Sequence, residues 1–325
     1  MRKRDDRKSD QAHVYECMAL NSSRQTWPVV LFAVVAAAAI ALVGFFSWNS
    51  NEPRELDPIP NGYNDLAAAG KMIHGADLDV RTATAETLRQ FVATNSAALE
   101  RARLGLTRQC RLPAIYLADP TTNNEMRRLN GLAAVKSVVR AFHAEGQLAE
   151  LEGRPMEAAA SYLAVIKVGI ACSHGGTLID ALVAIACESL GCPGLDRIAP
   201  KLNAAQSCRV EQQLEEAVAE WEPASEILRH DAMLGRNSVG GAQYFLYTLG
   251  RGIIPAWGGS QKRALAKYDT HHHRLIALEI QLAAHGYELE NGRKAQGWGD
   301  LVPGYLKAIP QDPLTGGAFK MSTSP

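Results

Sequence analysis

Residues 139–170 read VRAFHAEGQLAELEGRPMEAAASYLAVIKVGI, and their spacing predicts two helices folded back on each other. Gly153 marks the turn. Before it, Phe142 supplies bulk and Gly146 leaves room for a close approach. After it come Ala158, Tyr162 and Val165, a small, an aromatic and a small side chain at helical intervals. Glycine and alanine let two backbones come near, and the Tyr162 ring fills the gap beside them. A hairpin of this kind sets the expected fold class as mainly α.

The composition agrees. The 325 residues include 50 Ala but only 7 Phe, 5 Trp and 9 Tyr, which favours packed helices over sheets. Hydrophobic residues make up 47%, enough to build a sizeable core. Lys and Arg number 34 against 34 Asp and Glu, so net charge gives no case for a nucleic-acid partner. Basic stretches such as 101–111 are short and lack interleaved aromatics. Six cysteines show no C-x-x-C spacing, which argues against a zinc or redox motif. Cys192 and Cys208 flank a Pro/Gly-rich turn and are a possible bridge. Cys110, Cys172 and Cys187 read, like them, as small buried hydrophobes.

Upstream, Val29–Phe46 (VVLFAVVAAAAIALVGFF) carries no charge. As a helix it extends about 27 Å, close to a bilayer's hydrocarbon thickness. Trp27 and Trp48 bracket it as interfacial aromatics do. The 27-residue leader is long for a cleaved signal peptide, so residues 28–48 are expected to be an uncleaved signal anchor. Arg2, Lys3, Arg4, Arg7, Lys8 and Arg24 precede the run, while only Arg54 and Lys71 follow within 27 residues of Trp48. That asymmetry places residues 1–27 in the cytoplasm and the bulk of the chain outside it, at a single-pass inner membrane.

Residues 49–62 read as a Pro-rich linker, and 63–291 as a helical domain. Helices are expected over 63–75 and 82–105, the second capped by Thr82 or Thr84. A loop over 106–121 leads to a helix opened by Thr121 or Thr122 and reaching about Glu152. Its apolar stripe runs Leu129, Leu132, Val135, Val139, Phe142, Gly146, Ala149. Next come 155–171 and 177–190, the latter opened by a Thr177/Asp180 capping box and stopped by Gly191 and Pro193. Further helices are expected over 203–233, bent near Pro223, and 261–290, separated by a stretch with seven glycines. Residues 292–325 form a C-terminal cap in which Leu301, Tyr305, Leu306 and Ile309 pack back on the last long helix.

Residues 139–170 resemble one tetratricopeptide repeat: Phe142, Gly146, Gly153, Ala158, Tyr162 and Val165 take its bulky, small and turn positions. That resemblance implies a protein-binding role. Residues 275–317 (LIALEIQLAAHGYELENGRKAQGWGDLVPGYLKAIPQDPLTGG) are similar to the C-terminal box of uncharacterised membrane-anchored bacterial helical proteins, as are Asn61-Gly62-Tyr63 and Leu178-Ile179-Asp180. This second resemblance implies architecture and no reaction. A similar box closes type II secretion pseudopilins. No prepilin cleavage sequence precedes the apolar run here, and no calcium ligand is carried over from that family.

His271-His272-His273 is the most conspicuous polar cluster, yet consecutive helical residues point about 100° apart and cannot converge on one ion. His174-Gly175-Gly176 is like an oxyanion loop but has no accompanying G-x-S-x-G. Walker A and G-x-G-x-x-G motifs are missing. The sequence therefore assigns no catalytic, cofactor-binding or metal-ligating residue. The expected function is a membrane-tethered extracytoplasmic interaction or scaffold protein with a protein partner. The alternatives are an extracytoplasmic hydrolase without a motif, and a secretion- or pilus-associated component.

Overall fold

The computed structural model describes residues 56–240, 243–244 and 255–321 together with Ala38; for 255–260 it describes the backbone only. The expected leader, the membrane span apart from Ala38, the first half of the linker, the glycine-broken stretch 245–254 and the last four residues lie outside the described residues. The fold is mainly α. In chain order the helices are α1 (Gly62–Met72), α2 (Ala85–Thr94), α3 (Ser96–Leu106), α4 (Ile115–Ala118), α5 (Thr122–Leu151) and α6 (Pro155–Ser173). They continue as α7 (Leu178–Ile198), α8 (Ala204–Ala219), α9 (Ala224–Val239), α10 (Pro255–Asn291) and α11 (Trp298–Leu301). Among the described residues the extended pairing is one isolated antiparallel bridge, Gln311 with Ala318.

Helix α6 is the centre. From Ala158 to Ser173 every residue but Ala160 and Lys167 is buried. Tyr162, Leu163, Ile166 and Ile170 join a core with α7, α8 and α10. Val165, Val168, Ala171 and Cys172 join a second core with α1, α3 and α5. A helix that is apolar all round has to be enclosed, and α6 is. The Tyr162 ring is the wedge. A Cβ on Gly146 of α5 would lie 2.8 Å from it, and one on Gly194 of α7 would lie 2.5 Å from it. Its hydroxyl donates to Glu150 at 2.9 Å, so the buried ring keeps its polar end satisfied.

The structure departs from the expected boundaries where side chains act. The expected 82–105 helix is two, because buried Asn95 breaks it. Asn95 accepts from the His74 amide at 2.8 Å and donates to the carbonyls of His74 (3.1 Å) and Phe91 (2.9 Å). These bonds compete with helix continuation. Thr84 is the cap, accepting from the Thr87 amide at 3.2 Å. Helix α7 does not stop at Gly191 but runs through Pro193 to Ile198. Proline removes one backbone bond there, while Gly191 and Gly194 let α7 lie on α6: a Cβ at Gly191 would sit 2.8 Å from the Tyr162 carbonyl. Pro223 separates two helices rather than bending one, since α8 ends at Ala219 and α9 begins at Ala224.

Leu301 and Leu306 pack on Ala283 and Tyr287 of α10, with Trp298 and Tyr305 partly buried beside them. Ile309 departs from the expectation and is 43% exposed, because the chain turns away at Pro310. Two helices, Pro155–Ser173 and Leu178–Lys201 with its terminal 3-10 turn, are long and apolar enough to cross a membrane by composition, but both are mostly buried core helices of this fold. The five described cysteines are free thiols, and Cys192 is buried on α7 while Cys208 lies part-exposed on α8.

Two substitutions test the wedge. Gly146→Leu should overpack against Tyr162 and cost about 1–3 kcal/mol. Tyr162→Ala should open a cavity between three helices and cost about 3–5 kcal/mol. Thermal and urea unfolding measure both, and wild-type melting in both variants would refute the packing role.

Candidate functional site

Four polar nodes lie among these helices. The first joins α1, α5 and the start of α7. Arg128 donates to Asp180 at 2.6 Å and also to the Thr177 hydroxyl, and both charged side chains are buried. Asp180 also accepts from the Thr177 amide at 2.7 Å, so the capping box read from the sequence is present. The same carboxylate is thus a cap and half of a buried ion pair. The partner lies 52 residues away, which no local pattern announces. Among the described residues Tyr63 Oη, Arg128 Nε and Asp180 Oδ1 have no hydrogen-bond partner there. Each such group costs roughly 1–3 kcal/mol. Burial pushes the Tyr63 phenol well above its usual range, so it stays a neutral hydroxyl.

The three consecutive histidines serve three separate contacts. His271 Nδ1 lies 2.9 Å from the Glu188 carboxylate. His272 stacks on Trp221 at 5.1 Å between ring centroids. His273 bonds Asp312 of the cap at 2.8 Å and stacks on Phe319. Burial holds His272 down at about 4, a neutral ring. Glu188 is buried on α7, with Cys192 Sγ 3.9 Å away. Burial pushes that thiol above its usual range, so it supplies no thiolate nucleophile at neutral pH.

The third node closes the glycine loop before α7. The Gly175 amide donates to Glu222 at 2.7 Å, and the Gly176 amide donates to the Ser173 carbonyl at 2.9 Å. A carboxylate occupies the place where an oxyanion would be held, so the loop is structural. His230 of α9 lies beside it, with Nδ1 3.7 Å from Glu222, and burial and the guanidinium groups of Arg229 and Arg111 hold its imidazole down at about 4. Nearby, a cleft of about 160 Å³ is lined by Cys110 and Lys167 among others. Burial pushes the Cys110 thiol up to about 12, which removes it as a nucleophile.

The fourth node is a group of carboxylates, Glu211 and Glu215 on α8 with Glu279 on α10, whose nearest oxygens all lie within 4.8 Å of one another. Lys307 of the cap reaches Glu215 with its ammonium at 2.8 Å and its backbone amide at 3.0 Å. Sequence reasoning missed this node. The available signal was the four-residue spacing of Glu211 and Glu215 on a helix; Glu279 comes from a distant segment.

Comparison with known proteins adds no relative: no family model, curated protein or solved structure matches this chain.

Two predictions follow from the buried charges. Arg128→Ala leaves Asp180 buried without its counter-charge and should cost about 3–5 kcal/mol in chemical denaturation, with α7 loosened at its start. The second concerns pH. Burial pushes the Glu188 carboxyl from 4.5 up to about 8, with Arg274 and a Cys192 hydrogen bond opposing. Between those values the folded chain holds a proton that the unfolded chain has released. Stability therefore falls as pH rises through that window, by at most ~1.4 kcal/mol per unit for this group. His271 works in the opposite sense: burial, Arg274 and Lys267 hold it below its usual range, so its contribution is lost as pH falls below about 6.5. Glu188→Gln should flatten the decline between about pH 5 and 8, read from unfolding midpoints across that range. An unchanged slope would contradict the assignment.

Proposed function

We propose that the protein is a single-span, inner-membrane-tethered interaction or scaffold protein whose helical body lies outside the cytoplasm and binds a protein partner. The tether rests on the charge-free run Val29–Phe46 with its basic leader. The observation that carries the interaction role is a set of half-exposed apolar side chains on two neighbouring helices. Met126 and Leu129 of α5, and Ile179 and Leu182 of α7, are between 43% and 54% exposed. They flank Arg128 and Asp180, whose buried ion pair fixes the two helices against each other. Large exposed apolar groups on helices held rigidly in this way suit a protein-binding surface. The first three polar nodes meanwhile have their principal charges engaged in structural contacts, which favours binding over catalysis.

Topology and binding are tested separately. Cys110 is buried, so an introduced thiol at the exposed Glu157 position is the better external probe. In intact cells a membrane-impermeant maleimide should label Glu157→Cys while Cys17 stays protected; labelling of Cys17 alone would reverse the orientation. For binding, a photo-crosslinking residue at Leu129 or Ile179 should give a discrete adduct in cells. Leu182→Asp should abolish it. Adducts no stronger than at Glu157 would remove the surface from consideration.

A further inference from the structure

We infer that Glu211, Glu215 and Glu279 bind one hard divalent cation, which ties α8 to α10 beneath the C-terminal cap. The donor set is all carboxylate, the chemistry that suits calcium, magnesium or manganese rather than softer metals. Glu211 and Glu215 stand one helical turn apart on α8, so both face α10, and Glu279 answers from there. Oxygens within 4.8 Å of one another match opposite or adjacent ligands around a cation with bonds of about 2.1–2.5 Å.

The decisive observation is Glu211. It is only 1% exposed, and its Oε1 is fully buried without a hydrogen-bond partner. Glu279 is 4% exposed, and among the described residues it likewise has neither a hydrogen bond nor an ion pair. Buried carboxylates are normally paired or coordinate a metal. Among the described residues Lys307 is the one ammonium beside them, it is spent on Glu215, and its side chain is 69% exposed. One positive charge faces three carboxyls. Burial and mutual repulsion push Glu211 up to about 8 and Glu279 up to about 7, as expected where a counter-charge is lacking. Glu215 is less buried than its two neighbours.

The test uses the full-length chain in detergent micelles, titrated in turn with calcium, manganese and magnesium chloride by calorimetry, with melting followed in parallel. At least one of the three should bind at one ion per chain and raise the melting temperature. Glu211→Gln and Glu279→Gln, which keep shape and remove charge, should each weaken binding at least about tenfold. Glu157→Gln, on the exposed start of α6, should leave it unchanged. No binding and no melting shift with any of the three ions would overturn the assignment. So would binding retained in both glutamine variants, or an equal loss in Glu157→Gln. Should a glutamine variant fail to fold, wild-type chain with manganese decides alone. Paramagnetic broadening should appear first at amides around residues 211, 215 and 279, and broadening centred elsewhere would refute the site.

Discussion

One tyrosine ring sets the spacing of three helices. Tyr162 stands at the middle of α6 with Gly146 of α5 on one side and Gly194 of α7 on the other, and neither glycine has space for a Cβ. Close approach over those glycines brings α6 against both neighbours, and the rest of its surface is then buried by necessity. The two cores on opposite sides of α6 follow from that enclosure, since a helix with no solvent face has to be covered from every direction. Removing the ring disturbs both cores through one residue.

The same enclosure governs where charge is tolerated. Three helices packed this tightly cannot leave ionised groups in their shared interior, so charge collects at helix ends and along the outer seams. Asp180 sits in the first turn of α7, where it caps the helix and meets Arg128. Glu150 sits in the last turn of α5 and accepts from both Tyr162 and Arg197. Glu188 and the α8–α10 carboxylates occupy seams farther out, which is where the largest upward shifts among the acids occur. Apolar packing around Tyr162, with buried carboxyls confined to the seams between other helix pairs, puts any ligand chemistry at those seams.

Helix existence was legible because it rests on local periodicity. The hairpin over 139–170, the Thr84 cap and the Thr177/Asp180 box all depend on residues within a turn or two of each other. What was illegible depends on distance. Asn95 reads as an ordinary polar helix residue until His74, 21 positions away, gives it two bonds. Gly191 and Pro193 are stop signals in isolation, and here α7 passes them because Tyr162 and Ile166 on α6 require small groups opposite. Arg128 with Asp180 and His271 with Glu188 are pairings across distant segments, and Glu279 approaches Glu211 from another distant segment. The three histidines were the local feature most like a site, and geometry sends them to three different partners. The carboxylates with the least local signature are the ones brought together.

The apolar runs of this chain also show why hydropathy alone does not place a helix. Helices α6 and α7 are both apolar enough to span a bilayer, yet they carry Lys167, Asp180, Glu188 and Asp196. In hydrocarbon each of those charges would be costly. In this fold Asp180 has Arg128, Asp196 lies 3.6 Å from Arg274, and Glu188, its carboxyl pushed toward the neutral form by burial, shares a hydrogen bond with His271. Glycines on α7 further mark a surface shaped for another helix rather than for lipid. Val29–Phe46 differs in charge: it carries none to be paired. A run needing no polar partner suits lipid, and that contrast in charge separates the proposed tether from the two core helices.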